Sequence, residues 1–76
     1  MGTKKQELID GCFAKAADDE PLFVLRATDE IAPQIVRWWA REAELAGTPR
    51  EKVMEAHQLA DAMLAWQESH GAKVPD

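Results

Sequence analysis

The chain has 76 residues and a formal net charge of −5, with 14 acids against nine Lys and Arg. That length holds one domain, 1–76, with a core small enough that a disulfide, a metal or self-association would normally help to hold it. Composition excludes several classes: Cys12 is the only cysteine, so no intrachain disulfide forms; one cysteine and two histidines fall short of a zinc site; and acids spread over both halves leave no basic face for nucleic acid. No apolar run approaches the roughly 20 residues of a membrane span. Lys4 and Lys5 are not followed by an apolar signal core, which predicts a cytoplasmic location. A lone cysteine fits a reducing compartment, with Cys12 as a small core residue.

Thr3-Lys4-Lys5-Gln6 has the pattern of a capping box. Leu8, Ile9, Cys12, Phe13, Ala16 and Ala17 follow at helical spacing, which predicts a first helix over 3–17. Gly11 lies inside it, either as a surface glycine or at a close approach of another backbone. Asp18-Asp19-Glu20 oppose the dipole of its C-terminus, and Pro21 disfavours helical geometry at Glu20, so these acids form a solvated turn.

Residues 22–27 are apolar, partly β-branched and too short for a helix, so they are read as extended. A single extended segment either pairs with its own copy across a dimer or serves as a linker that packs Phe23 and Leu25 into the core. Asp29 is a suitable N-cap for a second helix over 29–46, with Pro33 in its first turn and Gly47 just past its end. Thr48-Pro49-Arg50-Glu51 then has the pattern of a second capping box, opening a third helix over 49–70. A stop at Gly47 followed at once by a start at Thr48 predicts an antiparallel αα-hairpin. In the third helix Ala56, Ala60 and Met63 form a small stripe suited to packing against a bulky second helix, and residues 72–76 make a short extended tail. The fold class is therefore all-α, with three helices and the extended segment.

Chemistry is sparse. Trp38 and Trp39 lie about 100° apart around a helix, so one faces the core and the other lies at its edge. With Trp66 and Phe23 they are the candidate protein-interface residues, weighed against ordinary core packing. Arg37 and Arg41 share a helix face, and Arg26 precedes that helix, so the three could hold a carboxylate or phosphate at its N-terminus. The plainer reading pairs them with Asp29, Glu30, Glu44 or Asp61. His57 and Asp61 are four apart without an evident third metal ligand, and His70 suits a helix C-terminus. Ser69 and His70 are sequence neighbours and cannot act as nucleophile and base. No catalytic constellation, metal site or cofactor site is legible, and an enzyme is not expected.

The run Phe23-Val24-Leu25-Arg26-Ala27, with Asp29, Ala32-Pro33, Val36-Arg37, Trp39-Ala40 and the closing Lys73-Val74-Pro75-Asp76, resembles short accessory proteins of tailed bacteriophages and prophages. The resemblance implies no assigned activity. It implies a setting in the host bacterial cell and a non-enzymatic binder that inhibits or adapts a host protein, in host takeover or anti-defence. The alternative is a sponge that sequesters an anionic nucleotide at Arg26 and the N-terminus of the second helix. Three tryptophans on a short chain also predict a homodimer, because Trp38 and Trp39 cannot both enter one intrachain core.

Overall fold

Alanine at helical spacing decides how the two long helices meet. The computed structural model describes residues 1–75 and contains α1 (Lys4–Asp10), α2 (Cys12–Lys15), α3 (Ala32–Leu45) and α4 (Arg50–His70), with no strand among the described residues. α3 buries Ala32, Pro33, Val36, Ala40 and Ala43, and α4 buries Val53, Ala56, Ala60 and Met63. Steps of three and four put each set on one stripe, and the stripes face each other in an antiparallel hairpin. Ala32, Ala40, Ala56 and Ala60 are fully buried. Side chains this small favour the short end of the usual interaxial range of roughly 8–10 Å. The α3 side of the seam is therefore small as well, not bulky as the sequence suggested. The tryptophans are excluded from it.

The hairpin turn closes on backbone geometry. Gly47 takes φ +93°, and its N–H donates to the Glu44 carbonyl at 3.1 Å while the Thr48 N–H donates to that of Ala43 at 2.9 Å. This paired closure satisfies two carbonyls at the end of α3 and needs the left-handed conformation that glycine adopts most readily. Because the Thr48 N–H is used in the closure, the expected capping box does not form. Pro49 is the N-cap of α4, with no side-chain cap.

The start of α3 also differs from expectation. Asp29 is not its N-cap; Ile31 is. Residues 28–30 pair instead with the tail: the Lys73 N–H donates to the Thr28 carbonyl at 3.0 Å, and the Glu30 N–H to that of Lys73 at 2.8 Å, a parallel bridge centred on Asp29 and Lys73. Extended pairing is incompatible with helical geometry at Asp29, so the helix begins later. Asp29 works on the turn before it, where its carboxylate accepts from the Arg26 N–H at 3.3 Å. Gln67 fastens the same corner, its side-chain amide donating to the carbonyls of Ala27 and Asp29, each at 3.0 Å. Of the segment 22–27, Leu25 and Ala27 pack on the hairpin core, whereas Phe23 is 87% exposed and not in the core. The expected tail extends to Asp76, which lies outside the described residues.

The predicted first helix is broken. The Thr3–Gln6 capping box forms in full, but the helix stops at Gly11, whose extended backbone separates α1 from α2. Glu7 bridges the break: one carboxylate oxygen accepts from the Cys12 N–H at 2.9 Å and the other meets the terminal amine at 3.3 Å. A Cβ at Gly11 would lie 2.5 Å from the Glu7 Cα, so the kink is built around that missing atom. Glu7 is held below its ordinary 4.5, first by the Cys12 N–H and then by the terminal amine. α1 and α2 pack only on each other, not on the hairpin. Cys12 is consequently exposed and free, not a core residue.

Two outcomes are expected. Gln67→Ala leaves the Ala27 carbonyl without its donor and removes one of the two donors to that of Asp29, which keeps the Ala32 N–H, and should cost about 1–3 kcal/mol in urea unfolding, with faster amide exchange at Glu30 and Lys73. Glu7 has a lowered folded pKa, so its contribution is present above about 4.5 and is lost as pH falls through the lower folded value. Acid titration followed by NMR should therefore shift the Cys12 amide and loosen α1–α2, while Glu7→Gln shows no such transition.

Candidate binding surface

α3 carries two apolar stripes, and α4 covers one of them. Taking Val36 as the centre of the buried stripe, helical periodicity places Ile31, Ile35, Trp38 and Leu45 at about 100–180° from it. These four are exposed by 41%, 36%, 57% and 78%. Their spacing of four, three and seven is that of a continuous face, interrupted by Glu42. The expectation that one of Trp38 and Trp39 enters the core is therefore wrong: Trp38 points away from α4. Trp39, about 60° from the stripe centre, lies along the seam's edge and is still 44% exposed.

The two sides of the hairpin differ in character. On one, Arg37 reaches across to α4, donating to His57 Nδ1 at 3.1 Å and pairing with the Asp61 carboxylate. Because a guanidinium only donates, His57 Nδ1 is the unprotonated nitrogen of its ring. By periodicity Trp39 and Ile35 on α3, with Leu59, Ala62 and Trp66 on α4, fall on the opposite side. Trp66 is 46% exposed and stacks on His70 with ring centroids 3.7 Å apart and planes 7° from parallel. His70 Nδ1 lies 3.1 Å from the Trp66 carbonyl, so this nitrogen carries the proton and caps the last turn of α4. Ser69 bonds back to the Ala65 carbonyl.

The arginines are placed less favourably for an anion. Arg37 is committed to His57 and Asp61. At the start of α3, the Glu30 N–H donates to Lys73, the Ala32 N–H to the Asp29 carbonyl, and Pro33 has no N–H. Arg26 is exposed one turn before the helix, with Asp29 bonded to its backbone, and Arg41 is exposed on α3. No group of three or more His, Cys, Asp or Glu side chains clusters as metal ligands among the described residues. No helix is long and apolar enough to cross a membrane, again among the described residues. A recess of about 300 Å³ beside the hairpin turn is lined by Glu44, Thr48, Arg50, Val53, Met54 and His57 and is open to solvent.

Sequence reasoning missed Gln67. Its signal was present: Val53, Ala56, Ala60 and Met63 step by three and four, and the next position on that stripe is Gln67. A polar residue on a core stripe must find partners, and the nearest carbonyls are those of the corner. No protein-family model matches the chain, and neither a curated protein nor a solved structure matches it.

An indole outside the core contributes only the part of its burial that the hairpin surface provides. Trp38→Glu should lower unfolding free energy by no more than about 2 kcal/mol, measured by urea denaturation, because the indole is 57% exposed.

Proposed function

We propose that this chain is a non-enzymatic protein-binding module that inhibits or adapts a partner protein of a bacterial host, and that the outer stripe of α3 is its contact surface. One observation carries the reading: the core is built from Ala, Val and Met, while all three tryptophans are about half exposed. Large apolar side chains on the surface at i, i+4 and i+7, here Ile31, Ile35 and Trp38, suit a helix laid into an apolar groove of its partner. Trp38, with Ile31, Ile35 and Leu45 along one line, is the anchor of that face. The host setting rests on the resemblance to phage accessory proteins, and the mode of action on the surface alone. Arg37 is paired with Asp61, and at the start of α3 the Glu30 and Ala32 N–H groups are used and Pro33 has none, which argues against the sponge.

The test is affinity capture from bacterial lysate with matched wild-type and Trp38→Glu baits, read by protein and small-molecule mass spectrometry. The wild type should retain a stoichiometric protein, and loss of a hot-spot indole should weaken that complex by about 30-fold or more. Retention of an anionic nucleotide instead, lost in Arg26→Ala, would favour the sponge. A protein retained equally by both baits removes the assignment to this stripe.

A further inference from the structure

The chain exposes 6071 Å². A compact monomer of its mass, 8.5 kDa, exposes about 4,700 Å². The excess is about 1,400 Å², against the roughly 800 Å² per partner of a standard stable interface. The radius of gyration agrees: 12.9 Å, where about 11.4 Å is usual for this length. Part of the excess lies in the arm. The N-terminal arm formed by α1 and α2 carries Leu8, Ile9 and Phe13 exposed by 56%, 69% and 44%, and it packs on neither long helix. The Trp39–Trp66 side of the hairpin is likewise half uncovered.

We propose that the arm of one copy docks its apolar side chains on the Trp39–Trp66 side of a second copy, and the reverse, giving a two-fold, arm-exchanged homodimer. Each chain holds one apolar arm and one apolar face, so a two-fold axis satisfies both at once, and the available area exceeds what a stable dimer needs. Within its own chain the arm reaches only the turn end of this side: Met1, Gln6 and Lys15 share a recess with Lys52, which lies on the same line of α4 as Leu59 and Trp66. Trp66 lies 14 residues further along α4, about 21 Å away along the axis. Charge favours contact between an arm and a hairpin body. Residues 1–15 hold three lysines against two acids, a formal +1, whereas residues 16–76 hold six bases against twelve acids, a formal −6. An arm therefore meets an oppositely charged body on the second copy. This goes beyond the partner-binding reading and uses an adjoining face, which meets the Trp38 stripe at Ile35 and leaves Ile31, Trp38 and Leu45 open.

Sedimentation equilibrium and mixed-label NMR test it together. The full chain should sediment at twice 8.5 kDa in the micromolar range. For NMR, one copy carries a nitroxide at Lys15→Cys in a Cys12→Ser background and is mixed with an isotope-labelled copy lacking the nitroxide. The indole N–H signals of Trp39 and Trp66 in the labelled copy should lose most of their intensity. Leu8→Glu with Phe13→Glu should halve the mass while the helicity of the hairpin persists. A mass of 8.5 kDa throughout overturns the proposal, as does a dimer without broadening. Broadening only when nitroxide and isotope share one chain means that the arm closes on its own hairpin, and also overturns it. Because Trp38 is untouched in these experiments, their failure leaves the capture experiment on the α3 stripe unaffected.

Discussion

Close contact between α3 and α4 at four fully buried alanines is the constraint from which the rest of the molecule follows. An alanine seam brings two backbones together and leaves no volume between them for an indole. A larger side chain at Ala40 or Ala60 would force the helices apart or off their preferred rotamers. The large apolar residues of α3 therefore fall outside the seam, at its edge or on the far side. Their exposure is a direct consequence of how tightly the hairpin closes.

A seam this narrow gains less from burial than a core of leucines would, so polar fastenings at its open end matter more. There the corner before α3, the end of α4 and the tail meet without forming a sheet. Gln67 donates to the Ala27 carbonyl and joins the Ala32 N–H at that of Asp29, and Lys73 supplies a further donor and an acceptor through its backbone. Residues 27–30 and 73 are thereby held against α4, which sets the direction in which α3 leaves the corner. At the other end Gly47 does the equivalent work with backbone conformation alone. The arm has neither kind of fastening to the hairpin. Its internal joint at Gly11 and Glu7 is local, which is why it can be organised within itself and still lie apart from the long helices.

Much of this was legible in the sequence. The Thr3–Gln6 box, the glycine stop at Gly47 and the stripe through Ala56, Ala60 and Met63 each depend on residues close in sequence, and each forms as local rules predict. The failures share one cause, competition from groups distant in sequence or from a neighbouring use of the same atom. Asp29 has the chemistry of an N-cap, but Lys73, 44 positions later, claims the backbone around it. Thr48 has the chemistry of a capping-box residue, but its N–H is already closing α3. Gly11 reads as one costly position in a helix, whereas Glu7 makes a break there favourable by capping the next turn. The expectation that one of Trp38 and Trp39 faces the core fails for a different reason, that hydrophobicity alone does not mean core. Once the opposing stripe is alanine, however, the same periodicity that marks Val36 as inside marks Trp38 as outside.

That division has an energetic consequence. An indole buries on the order of 200 Å², worth on the order of 5 kcal/mol as an upper figure. With each tryptophan about half exposed, roughly half of that value is left to be realised when another surface covers it. For three such side chains that latent burial energy is on the order of 7 kcal/mol, comparable to the net stability of a domain of this size. Because they lie outside the seam, that energy is available for association without being drawn from the fold. A chain with tryptophan inside and alanine outside would be more stable alone and would have little to offer a partner. In this chain the alanines specify the shape, and the tryptophans are left at the surface, where covering them drives association.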